Sequence, residues 1–171
     1  SDARTKLAAI FNIRQDAAMD HHKLIADIRR AVQEMSGLDG WLFYDFRHSD
    51  PLAYRVLKLD STRYVTRRWY YWIPSRGTPV KLLHRIEPHV LDGLPGETLL
   101  YAGWEEQQEN LRRLLRGVTH VAMQYSPMNA VPYISRVDAG TIELIRGFGI
   151  EIVTSADLVQ CFEAVWDDRQ L

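Results

Sequence analysis

From Asp20 onward apolar residues return at spacings of three and four, with Leu24, Ile25, Ile28, Val32 and Met35 forming one stripe of a helix. Gly37 stands where a helix commonly ends in a left-handed glycine. Residues 1–18 carry an apolar patch, Leu7, Ile10, Phe11 and Ile13, which reads as a short helix or an arm packed on a neighbour. Residues 41–46, Trp-Leu-Phe-Tyr-Asp-Phe, are large and mostly aromatic and predict a buried strand. Asp50-Pro51 then opens a short helix bearing Leu52, Val56, Leu57 and Leu59, since proline is accepted in a first turn. Residues 62–73 and 80–86 read as two strands joined by a breaker-rich turn, hence an antiparallel hairpin. On the first, Trp69, Tyr71 and Ile73 share one face and Tyr70 and Trp72 the other. On the second, Val80, Leu82, His84 and Ile86 oppose Lys81, Leu83 and Arg85.

The second half alternates in type. A loop over 88–96 leads to a strand at 97–102 and a helix at 104–116, with Trp104, Gln108, Leu111 and Leu115 on one side. Glutamates crowd the start of this helix and arginines its end, an order that complements the helix dipole. A strand at 118–125 precedes a helix capped by Asp138, carrying Ile142, Ile145 and Phe148 and stopped by Gly147 and Gly149. A last strand covers 150–154, and Ser155 caps a final helix. That helix runs to Leu171 without a glycine, proline or cap, so the chain reads as part of something longer. Strand–helix alternation is the mark of crossover-linked parallel strands. Together with the hairpin it predicts an α/β fold: one mixed sheet of five or six strands, helices on both faces, in a single domain over 1–171.

The length of 171 residues suits one domain with a core that needs no disulfide or metal. A formal charge of -1 supplies no general attraction to nucleic acid or to an anionic membrane. No apolar run approaches the roughly 20 residues of a membrane span, and the charged N-terminus lacks a signal-peptide core. The lone cysteine, Cys161, sits among Leu158, Val159 and Phe162 and reads as a small core residue. Such cysteine poverty is compatible with the cytoplasm.

Chemistry-bearing motifs are scarce. Neither GxGxxG nor GxxxxGK[ST] occurs, and GxSxG is absent. The six histidines form no HExxH or HxH pair, and adjacent His21 and His22 point apart on a helix. Asp45, Asp50 and Asp60 suggest a ribonuclease H-like carboxylate cluster, yet Asp45 lies within a strand and the other two take capping positions. Basic and aromatic side chains interleave over residues 63–72, a pattern that serves either a strand covered on both faces or a surface that stacks a partner. His84, among apolar neighbours, is either a ring satisfied within the core or a group reaching a substrate in an adjoining domain.

The run Tyr125-Ser-Pro-Met-Asn-Ala-Val-Pro-Tyr-Ile-Ser-Arg-Val-Asp-Ala-Gly-Thr-Ile-Glu143 resembles the N-terminal domain of Xaa-Pro peptidases of the creatinase/prolidase family. Residues 155–166, Thr66-Arg67-Arg68 and Leu83-His84-Arg85-Ile86-Glu87 carry the same resemblance, which spans roughly residues 20–170. It implies a creatinase N-terminal fold, similar to ribonuclease H, standing before a "pita-bread" catalytic domain. In the family that second domain holds two metal ions, often manganese, on two aspartates, one histidine and two glutamates. The ions activate water for attack on the bond before proline. None of those ligand motifs lies in this chain, so no catalytic residue, metal ligand or cofactor carries over. The resemblance further implies a domain that helps dimerise a cytoplasmic Xaa-Pro dipeptidase or aminopeptidase and walls its peptide site. His84, Arg67, Arg68 and Trp69 become the candidates for substrate-side contact. The expected partners are its own C-terminal catalytic domain, a second copy and a peptide, with neither nucleic acid nor membrane. The rival readings are a self-contained ribonuclease H-like metal nuclease and a free-standing peptide-binding module.

Overall fold

The computed structural model describes residues 2–167, with the side chains of 7–20 and 164–167 outside that description. Helix α1 spans Asp2–Glu34 without interruption. The short helix or arm expected over residues 1–18 is therefore the first half of the same long helix; no proline or glycine falls within it, and alanines recur along its length. The side chains of the apolar patch from Leu7 to Ile13, and the end of the last helix beyond Asp167, lie outside that description.

Six strands follow: β1 (Gly40–Asp45), β2 (Trp69–Pro74), β3 (Val80–His84), β4 (Glu97–Tyr101), β5 (His120–Met123) and β6 (Glu151–Thr154). Helix α2 (Pro51–Val56) links β1 to β2, and α3 (Trp104–Leu114), α4 (Ala139–Arg146) and α5 (Ala156–Asp167) follow β4, β5 and β6. The strands form one mixed sheet in the order β4-β3-β2-β1-β5-β6. Strand β2 is antiparallel to both neighbours, and every other pairing is parallel. Only β2 therefore runs against the rest.

The aromatic strands are buried on both faces, which explains their unbroken apolar character. Trp41, Phe43, Trp69, Tyr71, Ile73 and Leu83 face α1, α2 and α5. Leu42, Tyr44, Tyr70, Trp72 and Leu82 face α3 and α4. Where two large side chains fill one layer, another position must give way. A Cβ on Gly40 would lie 2.4 Å from Trp72 Cη2 and 2.6 Å from the Ile73 carbonyl oxygen.

Residues 62–68, expected as strand, are irregular. Strand β1 ends where Asp45 pairs with Trp69, so no β1 residue remains to pair with them as a strand, and side chains take their backbone hydrogen bonds instead. Cys161 is exposed rather than a core residue; Leu158 and Val159 fill the core on the other side of α5. Trp104, expected on the buried stripe of α3, is 48% exposed, while Gln107, Leu111 and Leu115 are buried. No helix among the described residues is long and apolar enough to cross a membrane.

Candidate functional site

Helices α3 and α4 cover the same face of the sheet but stand apart. The first packs on β3 and β4, the second on β6. Tyr44 at the C-terminal end of β1 and Tyr70 at the start of β2 lie between them. A cleft of about 810 Å3 opens there, the position at which α/β sheets commonly take ligands.

Three of the four residues singled out from the sequence meet in it: His84, Arg67 and Arg68. Trp69 does not. Successive strand residues point to opposite faces, so Trp69 is 1% exposed in the core beneath α1 and α2, while Arg68 and Tyr70 border the cleft.

Arg67 and Arg68 are held by their backbone. The Glu87 carboxylate accepts hydrogen bonds from the Thr66 N–H at 2.9 Å, the Arg67 N–H at 3.2 Å and the Thr66 hydroxyl. Partial burial works to raise the Glu87 carboxyl, but these Thr66 and Arg67 donors outweigh it and hold the group below the ordinary glutamate range. One carboxylate thus joins the two short motifs at 66–68 and 83–87. The Tyr101 hydroxyl donates to the Arg68 carbonyl at 2.5 Å, and burial pushes this phenol upward. The Arg68 guanidinium lies over the Trp104 ring, 4.7 Å from its centroid.

His84 lines the cleft with both ring nitrogens engaged. The Ile86 N–H donates to Nδ1 at 3.1 Å, so Nε2 carries the proton and donates to the Ala102 carbonyl at 3.1 Å. The ring stands edge-on to Tyr101, centroids 5.1 Å apart. These bonds make it a brace between the ends of β3 and β4, with neither nitrogen left to accept a substrate proton.

The cleft is strongly basic. Arg47 and Arg136 join Arg67 and Arg68. The one carboxylate on the lining, Asp138, caps α4 with both oxygens, accepting from the Thr141 N–H and hydroxyl. At the base lies Gln107, fully buried; its amide faces the Tyr101 hydroxyl closely enough to work against the rise that burial gives this phenol, and no other partner answers its Nε2 or Oε1 among the described residues. Gln107, Glu87, Tyr101, Arg47 and Arg136 were not singled out from the sequence. Glu87 and Arg136 lie within the runs that carry the resemblance, and Gln107 stands four residues before Leu111 and eight before Leu115.

The acidic cluster envisaged for a nuclease is a structural knot behind the sheet. Asp45 accepts from the Asp50 N–H at 2.9 Å, the His48 N–H at 3.1 Å and the Tyr54 hydroxyl at 3.3 Å. Asp50 caps α2 through Leu52 and Ala53 and accepts from Gln124 Nε2 at 2.7 Å. Asp60 is exposed and caps Thr62. No group of three or more His, Cys, Asp or Glu among the described residues could hold a metal ion. Trp69 and Trp72 are both buried, so the aromatic strand offers no open platform.

No family model and no curated protein matches the sequence. Solved structures do. A prolidase from Thermococcus sibiricus aligns with a TM-score of 0.57 at 12% identity, covering 82% of this chain and 36% of the prolidase. The creatinase/prolidase N-terminal domain of an X-Pro dipeptidase from Streptococcus pyogenes aligns at 0.54 and 16%, over 82% of this chain and 98% of that domain. A proline dipeptidase from Streptococcus pneumoniae gives 0.60 and 13%, over 82% and 97%. The chain thus spans about a third of the Thermococcus prolidase. At these identities the likeness establishes architecture: the six-stranded mixed sheet with its flanking helices is the fold of creatinase/prolidase N-terminal domains.

Proposed function

We propose that the chain is the non-catalytic N-terminal domain of a creatinase/prolidase-type metallopeptidase. A downstream catalytic domain supplies the dinuclear metal site, and this domain supports dimerisation and walls the peptide site. The observation that carries the reading is the pattern of coverage. The likeness takes in 82% of this chain but 36% of the Thermococcus prolidase, whereas the isolated Streptococcus pyogenes N-terminal domain is matched over 98% of its length. The wall is the cleft at the carboxyl ends of the strands, with Arg67 and Arg68 facing the substrate and His84 bracing their surroundings. Trp69 has no part in it. Two divalent ions, manganese among the suited metals, belong to the downstream domain, and a cytoplasmic setting agrees with the single cysteine.

Hydrolysis of Xaa-Pro dipeptides with added manganese tests this. The protein extended through its downstream reading frame is expected to turn over and this chain alone to be inert. Turnover by the isolated chain, or a downstream frame without two aspartates, a histidine and two glutamates, overturns the reading. Light scattering on the extended protein is expected to give the mass of a dimer.

A further inference from the structure

The cleft between α3 and α4 carries more positive charge than its own residues balance. Four guanidinium groups border it, those of Arg47, Arg67, Arg68 and Arg136, and none is in an ion pair among the described residues. Two carboxylates stand against them: Asp138 on the lining, held by Thr141, and Glu87, which acts on Arg67. His84, with Nδ1 accepting, adds no charge. The phenols of Tyr44, Tyr70 and Tyr101 are pushed up by burial and stay protonated. A surplus of two positive charges is left.

Two of the guanidinium groups are also held ready. Arg68 is fixed in plane by stacking on Trp104, and its side chain makes no hydrogen bond among the described residues. Arg136 is anchored through Nε, which donates to the Tyr133 carbonyl at 3.0 Å, while its terminal nitrogens make no hydrogen bond among the described residues. Arg68 and Asp138, two residues on from Arg136, both act on the phenols of Tyr44 and Tyr70, so the two arginines flank the same rings. Each can take an oxyanion with two parallel N–H bonds. The charge surplus then separates ligand classes. A dipeptide is a zwitterion: its carboxylate answers one guanidinium and its ammonium returns the charge. A phosphoryl group carries about -1.5 to -2 at pH 7 and three acceptor oxygens, enough to offset the surplus and fill more than one fork. The exposed rings of Phe46 and Trp104 at the rim can flank an organic substituent on it.

We propose that the cleft binds a phosphoryl dianion, as inorganic phosphate or a small phosphate monoester, through the guanidinium groups of Arg68 and Arg136. The proposal rests on the reading of the cleft as a ligand-facing wall and adds a second ligand of different chemistry. The two fail separately, because phosphate binding is measured on this chain alone and peptidase action on the extended protein.

Three probes titrated into the chain at one ionic strength, by calorimetry or NMR, separate the contributions: inorganic phosphate, phenyl phosphate and benzenesulfonate, a tetrahedral oxyanion of similar shape with a single charge. At pH 8 phenyl phosphate is expected to bind at least about tenfold tighter than benzenesulfonate, a difference of about 1.4 kcal/mol. At pH 5, below the second phosphate pKa of about 6, most of that advantage should vanish while benzenesulfonate is unchanged. Inorganic phosphate matching phenyl phosphate supports the free ion as the ligand, and a clear margin for phenyl phosphate supports a monoester. Arg68→Ala and Arg136→Ala are each expected to weaken phenyl phosphate at least about fivefold, with Arg68→Lys, which keeps the charge without the fork, in between. Arg85→Ala, whose guanidinium is paired with Glu106, should leave the affinity unchanged, which a mere response to overall charge would not. Benzenesulfonate binding as tightly at pH 8, no binding by either phosphate, or unchanged affinity in both arginine-to-alanine variants at positions 68 and 136 overturns the proposal.

Discussion

The knot around Asp50 makes the stability of this protein depend on pH in an unusual direction. Asp50 has no exposed surface. Burial pushes its carboxyl from 3.8 up to about 6; the Ala53 N–H and the Gln124 amide oppose the rise, and the charge of Asp45 adds to it. A carboxyl raised in the folded state binds its proton more tightly there than in the unfolded chain. Its contribution to stability is complete below the unfolded value and is lost as pH climbs through about 6. The rise from 3.8 to about 6 corresponds to about 3 kcal/mol in all, of which about 1.4 kcal/mol is regained on going from pH 7.5 to pH 5. Asp45 is raised by burial as well and adds with the same sign. Urea unfolding at pH 7.5, 6 and 5 is therefore expected to show stability rising as the solution is acidified. Asp50→Asn removes the Asp50 share of this slope. It also sets an amide N–H2 against Gln124 Nε2, which cannot turn over, because Gln124 Oε1 already accepts from Trp41 Nε1 at 2.8 Å and the Ser155 hydroxyl at 2.9 Å. The variant should be less stable at pH 5 by about 1–3 kcal/mol, the cost of an unpaired buried donor. Parallel pH profiles for the two proteins would refute the argument.

Three further outcomes follow from single contacts. Glu87→Ala releases the backbone of Thr66 and Arg67 and is expected to cost about 2 kcal/mol in urea unfolding at pH 7; because the Glu87 carboxyl is lowered in the folded state, the deficit should shrink as pH falls below the ordinary glutamate range. Gly40→Ala drives a methyl group into Trp72 and the Ile73 carbonyl and is expected to cost about 3 kcal/mol or more, read as a lowered Tm. Cys161, exposed on α5, should react with an aromatic disulfide reagent in the native protein as completely as in urea, and protection of the native thiol would contradict its placement.

Much of the architecture was legible because both faces of the sheet are covered. Residues 41–44 and 69–73 are aromatic or aliphatic at every position, and only a strand buried on two sides tolerates that over so short a run. Capping chemistry was equally readable: Asp50 and Asp138 both accept from the first turn of the helix they precede. Where reading stopped short, the deciding partner lay far along the chain. Residues 62–68 have the composition of a strand, but a strand lasts only as long as its neighbour, and β1 ends at Asp45. The orientation of α3 depends on how it docks over β3 and β4. Trp104 and Gln107 both keep helical spacing to Leu111, and the docking of α3 turns the glutamine inward.

The cleft was half visible for the same reason. Thr66-Arg67-Arg68 and Leu83–Glu87 are separated by some fifteen residues, and what unites them is one carboxylate whose partners are backbone N–H groups, a relation that leaves no mark on side-chain pattern. Trp69 is a different matter, since alternation alone decides it. If Trp69, Tyr71 and Ile73 share one face of β2, a residue at 68 belongs with Tyr70 and Trp72 on the other. Arg68 and Trp69, both candidates for substrate-side contact, therefore cannot share one surface: choosing the arginine excludes the tryptophan. The structure follows that parity, with Trp69 beneath α1 and α2 and Arg68 on the cleft over Trp104. Arg68 thus works on the α3/α4 side of the sheet, beside Tyr101 and Gln107, while the carboxylates of Asp45 and Asp50 are committed to the turn and cap of α2.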